Sequence, residues 1–215
     1  MPPATDGSGP ASDVTARRRL VALAGHQGDS AAARQALADS APGVRATALG
    51  ALARAERLTA GDLADAVGDP APEVRARAAE LAAAVGPDAA GVASRALADG
   101  DARVVEAGCF ALGELGAGAS VEVVAELSDV VREHPDPVCR EAAVAALGAI
   151  GAEAGLPAIL QATTDKPAVR RRAVLALAPF DGPEVDSAVA QALTDRDWQV
   201  RQAAEDLGER RPPST

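Results

Sequence analysis

Aromatic side chains are almost missing from this 215-residue chain, which has two Phe, one Trp and no Tyr. A core must therefore be filled by Ala, Val and Leu, and no aromatic-lined channel exists to hold a displaced base. Cysteine is equally scarce: Cys109 and Cys139 are too few for a disulfide framework. No apolar run is long enough to span a bilayer, and residues 1–12 lack the charged-then-apolar order of a secretory signal. Positive charge is in deficit, with a formal net charge of −10, which disfavours nucleic acid and anionic membrane as partners. Zinc spacing, a phosphate-binding glycine loop and a Ser-His-Asp order are absent too. These absences leave a soluble, cytoplasmic, monomeric protein with no metal, no cofactor and no catalytic constellation as the expectation.

What is present is repetition. Alanine, the strongest helix former, makes up roughly a quarter of the residues. Six times the chain writes an acidic residue, often a proline, then Val-Arg and an alanine run ending in Leu or Leu-Gly. The anchors Val44, Val74, Val104, Cys139, Val169 and Val200 lie 30, 30, 35, 30 and 31 positions apart. A fixed period of this size signals stacked supersecondary units, each too small to bury its own apolar face.

Each unit reads as two helices. Asp39, Asp69, Asp99, Asp136, Asp165 and Asp195 stand where one helix ends and the next begins, and a carboxylate there accepts hydrogen bonds from free N–H groups. Pro42, Pro72, Pro137 and Pro167 fall in the first turn of the second helix, where a missing N–H costs nothing. Positions 4, 7, 8 and 11 after the anchor share its stripe, giving an amphipathic helix. Gly113, Gly116, Gly148 and Gly151 suit helix ends with left-handed caps. First helices are expected at about 30–39, 59–68, 87–98, 119–133, 154–163 and 183–193. The fourth is a turn longer, which accounts for the 35-residue spacing. Residues 13–25 read as a capping helix, residues 1–12 as a disordered tail, 13–210 as the solenoid and 211–215 as a C-terminal tail.

The pattern Asp-x-x-Pro-x-Val-Arg-x-x-Ala-x-x-Ala-Leu-Gly resembles the HEAT repeat, in the short bacterial form of phycobilin-lyase-like proteins. That resemblance, over about residues 13–210, implies an all-α, right-handed α-solenoid of about six hairpins plus an N-terminal capping helix, with second helices lining the concave side. It implies a ladder of Asp and Arg between units, here Asp39/Arg45, Asp69/Arg75, Asp165/Arg170 and Asp195/Arg201. The ladder breaks where Val105 replaces Arg, and the fourth unit shifts its Asp towards Arg140. Metal-dependent hydroxylases on similar repeats carry paired His-Glu motifs, which this chain lacks. A lyase-like role handling a tetrapyrrole is the alternative that the family suggests.

The remaining signal is surface. Positions 2, 6 and 10 after the anchor point away from the apolar stripe by the 100° step of a helix. They place Glu80, Glu106, Glu114 and Glu141 as an acidic streak near the middle of the concave side, with Phe110 and Leu175 as large apolar side chains among them. Between Asp99 and Glu141 stand ten acidic residues against three arginines. A charge block of this kind ordinarily keeps an Ala-rich rod in solution. The sharper expectation is a groove for a basic peptide or a positive protein patch, centred on Phe110. His26 and His134 are expected at the surface. Cys109 and Cys139 are expected to be small core hydrophobes.

Overall fold

The computed structural model describes residues 10–116 and 119–210, and among them there are thirteen α-helices and no strand. In chain order these are α1 (Pro10–Gln27), α2 (Ser30–Gln35), α3 (Pro42–Arg54), α4 (Ala60–Ala66), α5 (Pro72–Val85), α6 (Ala90–Ala96) and α7 (Ala102–Leu115). The rest are α8 (Val121–Glu133), α9 (Pro137–Ile150), α10 (Leu156–Ala162), α11 (Pro167–Ala176), α12 (Pro183–Ala192) and α13 (Trp198–Arg210). From α2 onward they pair into six hairpins, and α1 stacks on α3 as an unpaired second helix. The odd-numbered helices pack closely on one another while the even-numbered ones touch their counterparts far less, so the stack curves with the odd helices inside. The molecule is an α-solenoid.

Local sequence explains the boundaries. Proline opens α3, α5, α9 and α11, where it removes no needed donor. Thr59 and Asp62 form a reciprocal capping box on α4, and Ser120 accepts from Val123 N–H to start α8. Residues 10–12, expected in the tail, already belong to α1. The rest of that tail, residues 1–9, and the C-terminal tail 211–215 lie outside the described residues. All six anchors are at most 2% exposed, so the repeated Val or Cys position is the spine of the core.

The glycines divide by role, which corrects the reading of all four as end caps. Gly151 has φ +67° and Gly116 φ +68°, and both end their helices in the left-handed region that glycine tolerates. Gly148 is helical and does something else: a Cβ there would lie 2.7 Å from Ala176 Cβ on the next second helix. It sets how closely α9 and α11 approach.

The ladder is real, with different pairings from those the sequence suggested. Arg45 sends Nε and Nη2 to Asp69 of the following unit (2.8 and 2.7 Å) and Nη1 to the backbone carbonyl of Asp39 in its own unit (2.9 Å). Arg17 repeats the bidentate contact on Asp39, Arg75 on Asp99, Arg140 on Asp165 and Arg170 on Asp195. Each aspartate also accepts the N–H one or two residues on, closing a turn into the next helix. The guanidinium is thus the first cause holding Asp99, Asp165 and Asp195 below the usual carboxylate range. For Asp39 the N–H of Ala41 comes first and Arg17 second.

The fourth unit does not shift its Asp. His134 stands six residues before Arg140 and fills the ladder position: its carbonyl accepts Arg140 Nη1 at 2.8 Å, and its Nδ1 accepts the N–H of Asp136 at 3.1 Å. Asp136 is instead the N-cap of α9. Where the Arg of the third unit would face His134, the chain has Val105, fully buried. Both members of one rung are therefore replaced together, the arginine by Val105 and the aspartate by His134. His26 is exposed, as expected, whereas His134 is only partly so.

Candidate partner-binding groove

On the odd-helix face, α5 and α7 enclose an open depression of about 610 Å³, lined by Glu73, Ala76, Glu80, Arg103, Glu106, Ala107 and Phe110. Phe110 projects from α7 and is 57% exposed. An aromatic ring left half in water on a helix whose opposite face is buried gives this depression an apolar floor with a charged rim. Three of the six site residues expected from sequence, Glu80, Glu106 and Phe110, meet here. Glu114 is exposed one turn further along α7, while Glu141 on α9 and Leu175 on α11 lie outside the depression.

The acidic streak is less free than the sequence implied. Glu80 is paired with Arg77 at 2.9 Å, and Glu141 is approached by Arg172 and Arg171 of the next unit at 3.5 and 3.7 Å. Much of the block between Asp99 and Glu141 is likewise engaged: Asp99 with Arg75, Asp101 with Arg103, Asp129 with Arg132, Glu126 with Ser94, and Asp136 at its cap. Among the described residues, Glu106 beside Phe110 and Glu114 one turn on keep carboxylates with no ion-pair partner, as do Glu122, Glu126 and Glu133 on α8, away from the depression.

Two features escaped the sequence reading. Glu73 and Arg103 sit one residue before their anchors, one turn ahead of position 2, and extending the stripe of positions 2 and 6 by one helical turn would have found them. A second depression of about 390 Å³ continues the groove towards α1, lined by Arg18, Gly43, Ala46, Thr47, Gly50, Arg54, Glu73 and Arg77. Glu73 borders both, so the face runs from a basic N-terminal end into an acidic centre.

Other chemistry is limited. Both cysteines are buried, and burial pushes the thiol of Cys109 up to about 12 and that of Cys139 to about 11. Both remain protonated at neutral pH, the state of small core hydrophobes. Among the described residues no group of three or more His, Cys, Asp or Glu side chains could hold a metal ion, and no helix is long and apolar enough to cross a membrane.

Stacked hairpins, a buried anchor at each repeat and an Arg–Asp ladder between units define a helical-repeat solenoid with a groove along its inner helices. The chain belongs to the HEAT-repeat family, whose model matches residues 61–147 and 124–208, more than half of its length. Among solved structures it is similar to an engineered protein at 20% identity, over 84% of this chain and 95% of that one, with a TM-score of 0.59. It is also similar to the complex of CpcE and CpcF of phycocyanin lyase from Nostoc sp. PCC7120 (17% identity, 69% and 97% covered, TM-score 0.56). A designed armadillo repeat protein gives 16% identity over 88% and 98%, with a TM-score of 0.53. At these identities the likeness carries the fold. No curated protein matches the chain significantly.

Proposed function

We propose that this protein is a non-enzymatic, cytoplasmic interaction module that binds another protein along its inner groove. HEAT and armadillo repeats in general mediate protein–protein interaction, and that coarse role suits a solenoid with an open groove on its inner helices. The finer reading is a basic segment of the partner. It would lay a positively charged side chain against the ring of Phe110, with Glu106 and Glu114 beside it and Glu80, Glu141 and Leu175 flanking. The observation carrying this reading is Phe110, half-exposed in the depression and bordered by a carboxylate without an ion-pair partner.

Affinity purification from the native host with the parent and with Phe110→Ala and Glu106→Gln provides the test. A stoichiometric partner that the parent retains and both variants lose is the expected result. Recovery equal to the parent in both variants rejects the groove. A pigment-dependent absorbance in the purified protein would instead favour the tetrapyrrole-handling alternative.

A further inference from the structure

The inner groove holds two neighbouring depressions of opposite sign. In the one that contains Phe110, Glu73, Glu80 and Glu106 stand against Arg103. In the one towards α1, Arg18, Arg54 and Arg77 stand against Glu73, in a chain whose net charge is −10. The sequence builds this second depression on α3. The residue before the anchor and positions 2 and 6 after it are Arg103, Glu106 and Phe110 on α7, but Gly43, Ala46 and Gly50 on α3. That helix offers no long side chain where α7 does, and arginines lean over it from both sides. Arg18 comes from α1, with Nε 3.4 Å from Thr47 Oγ1 and Cδ 3.5 Å from where a Cβ of Gly43 would stand. Arg77 comes from α5: its Nη1 holds Glu80 at 2.9 Å, and its Nη2 lies 2.8 Å from the place of a Gly50 Cβ. A glycine inside a helix costs about 1 kcal/mol relative to alanine, and at Gly50 it makes room for this guanidinium. Arg54, at position 10 of α3, lines the same depression. It is exposed and, among the described residues, has no hydrogen bond or ion pair.

We infer that this basic depression is an anion subsite and that the partner's segment is bipolar: an acidic side chain enters between α1, α3 and α5 while a basic one lies against Phe110. This rests on the groove reading and adds to it a second point of contact, of opposite charge. A carboxylate suits the site, because its two oxygens match the fork of a guanidinium. Arg54 has its whole fork to give, and among the described residues Arg18 and Arg77 each use a single nitrogen. Arg77 also joins the two points, since it holds Glu80 on the rim of one and lines the other. Spacing limits the segment. Neighbouring helices stack about 8–10 Å apart and an extended chain rises about 3.3 Å per residue, so acid and base stand about two to four positions apart. A uniformly basic segment would set like charge against the three arginines, which selects against it.

Random displayed peptides panned on the full chain at low salt provide the test, with the enriched sequences then measured by fluorescence anisotropy. Those sequences are expected to carry Asp or Glu about two to four positions from Lys or Arg, and to bind less tightly as salt is added. Arg18→Gln with Arg54→Gln changes two exposed side chains and is expected to weaken such a peptide about tenfold. Replacing the peptide's acid by Ala should cost the parent as much and the double variant almost nothing, because both changes remove one contact. Equal losses in the two proteins, or enriched peptides that are basic alone, overturn the anion subsite and leave the groove reading standing. Enriched peptides that bind Phe110→Ala as tightly as the parent overturn the groove reading and the subsite with it. So does a panning that enriches nothing.

Discussion

Five junctions in this solenoid are clamped by a bidentate Arg–Asp pair, and the one between α7 and α9 is not. That unclamped junction is no looser. Val105 and Cys109 on one side and Cys139 on the other are fully buried, and Gly113 lets the two helices approach so closely that a Cβ would sit 3.1 Å from Ala146 Cα. Cys139 Sγ donates to the carbonyl of Ala102 across it at 3.3 Å. Apolar packing is therefore enough to hold two units together, in keeping with partly buried ion pairs whose desolvation cost offsets much of their attraction. The clamped junctions owe something else to their ion pairs. A fork reaching both a carbonyl in its own unit and a carboxylate in the next fixes the relative placement of units whose small, similar side chains would otherwise slide.

Breaking the comparison from the unclamped side should have the largest effect. Val105→Arg puts a charge where nothing accepts it and is expected to cost about 3–5 kcal/mol. Adding His134→Asp should recover much of that loss by rebuilding the rung, and a double-mutant cycle in urea measures the coupling. Additive losses would mean that the junction cannot hold a rung.

Leu147→Ala removes a core side chain at position 8 of the fourth unit and is expected to cost about 2–5 kcal/mol, unfolding more than one unit. A denaturation midpoint equal to the parent's would contradict that. On the clamped side, Arg170→Met leaves Asp195 partly buried without its partner, an expected loss of about 2–3 kcal/mol at neutral pH. Because Arg170 holds Asp195 below its ordinary range, the rung contributes fully above the ordinary aspartate pKa of about 3.9 and fades as pH falls through the lower folded value. The difference between parent and Arg170→Met should shrink on acidification, as chemical denaturation at a series of pH values would record. The smallest effect belongs to His134→Ala, which deletes an acceptor for one N–H at a turn and should cost about 1 kcal/mol, with His134→Asn closer to the parent in thermal melts.

Much of this architecture was legible because the repeat puts the same physical demand at the same position each time. A buried anchor, a proline at the helix start and an acid at the junction recur, and the anchors alone located all six hairpins. What was not legible depended on partners across units. His134-Pro-Asp136 offers two candidates for the ladder position, and only the carbonyl reaching Arg140 selects the histidine. Gly148 and Gly151 look alike in the chain, yet one is set by a neighbouring helix and the other by its own backbone angle. Glu80, Glu106 and Phe110 were found from helical phase. The pairing of Glu80 with Arg77, three residues before it on α5, could have been read from helical phase, whereas that of Glu141 comes from arginines 30 and 31 positions away, which phase does not encode.

The sequence by itself determined the helices, their pairing and the buried stripe, because these follow from local propensity and a 3.6-residue period acting within one unit. The tertiary structure alone decided which carboxylates are spent in the ladder, which acids next to Phe110 keep no ion-pair partner and which glycines set the approach of neighbouring helices. Each of those outcomes is a contact between residues 20 or more positions apart, or the lack of one, and a repeat specifies such contacts only once its copies are stacked.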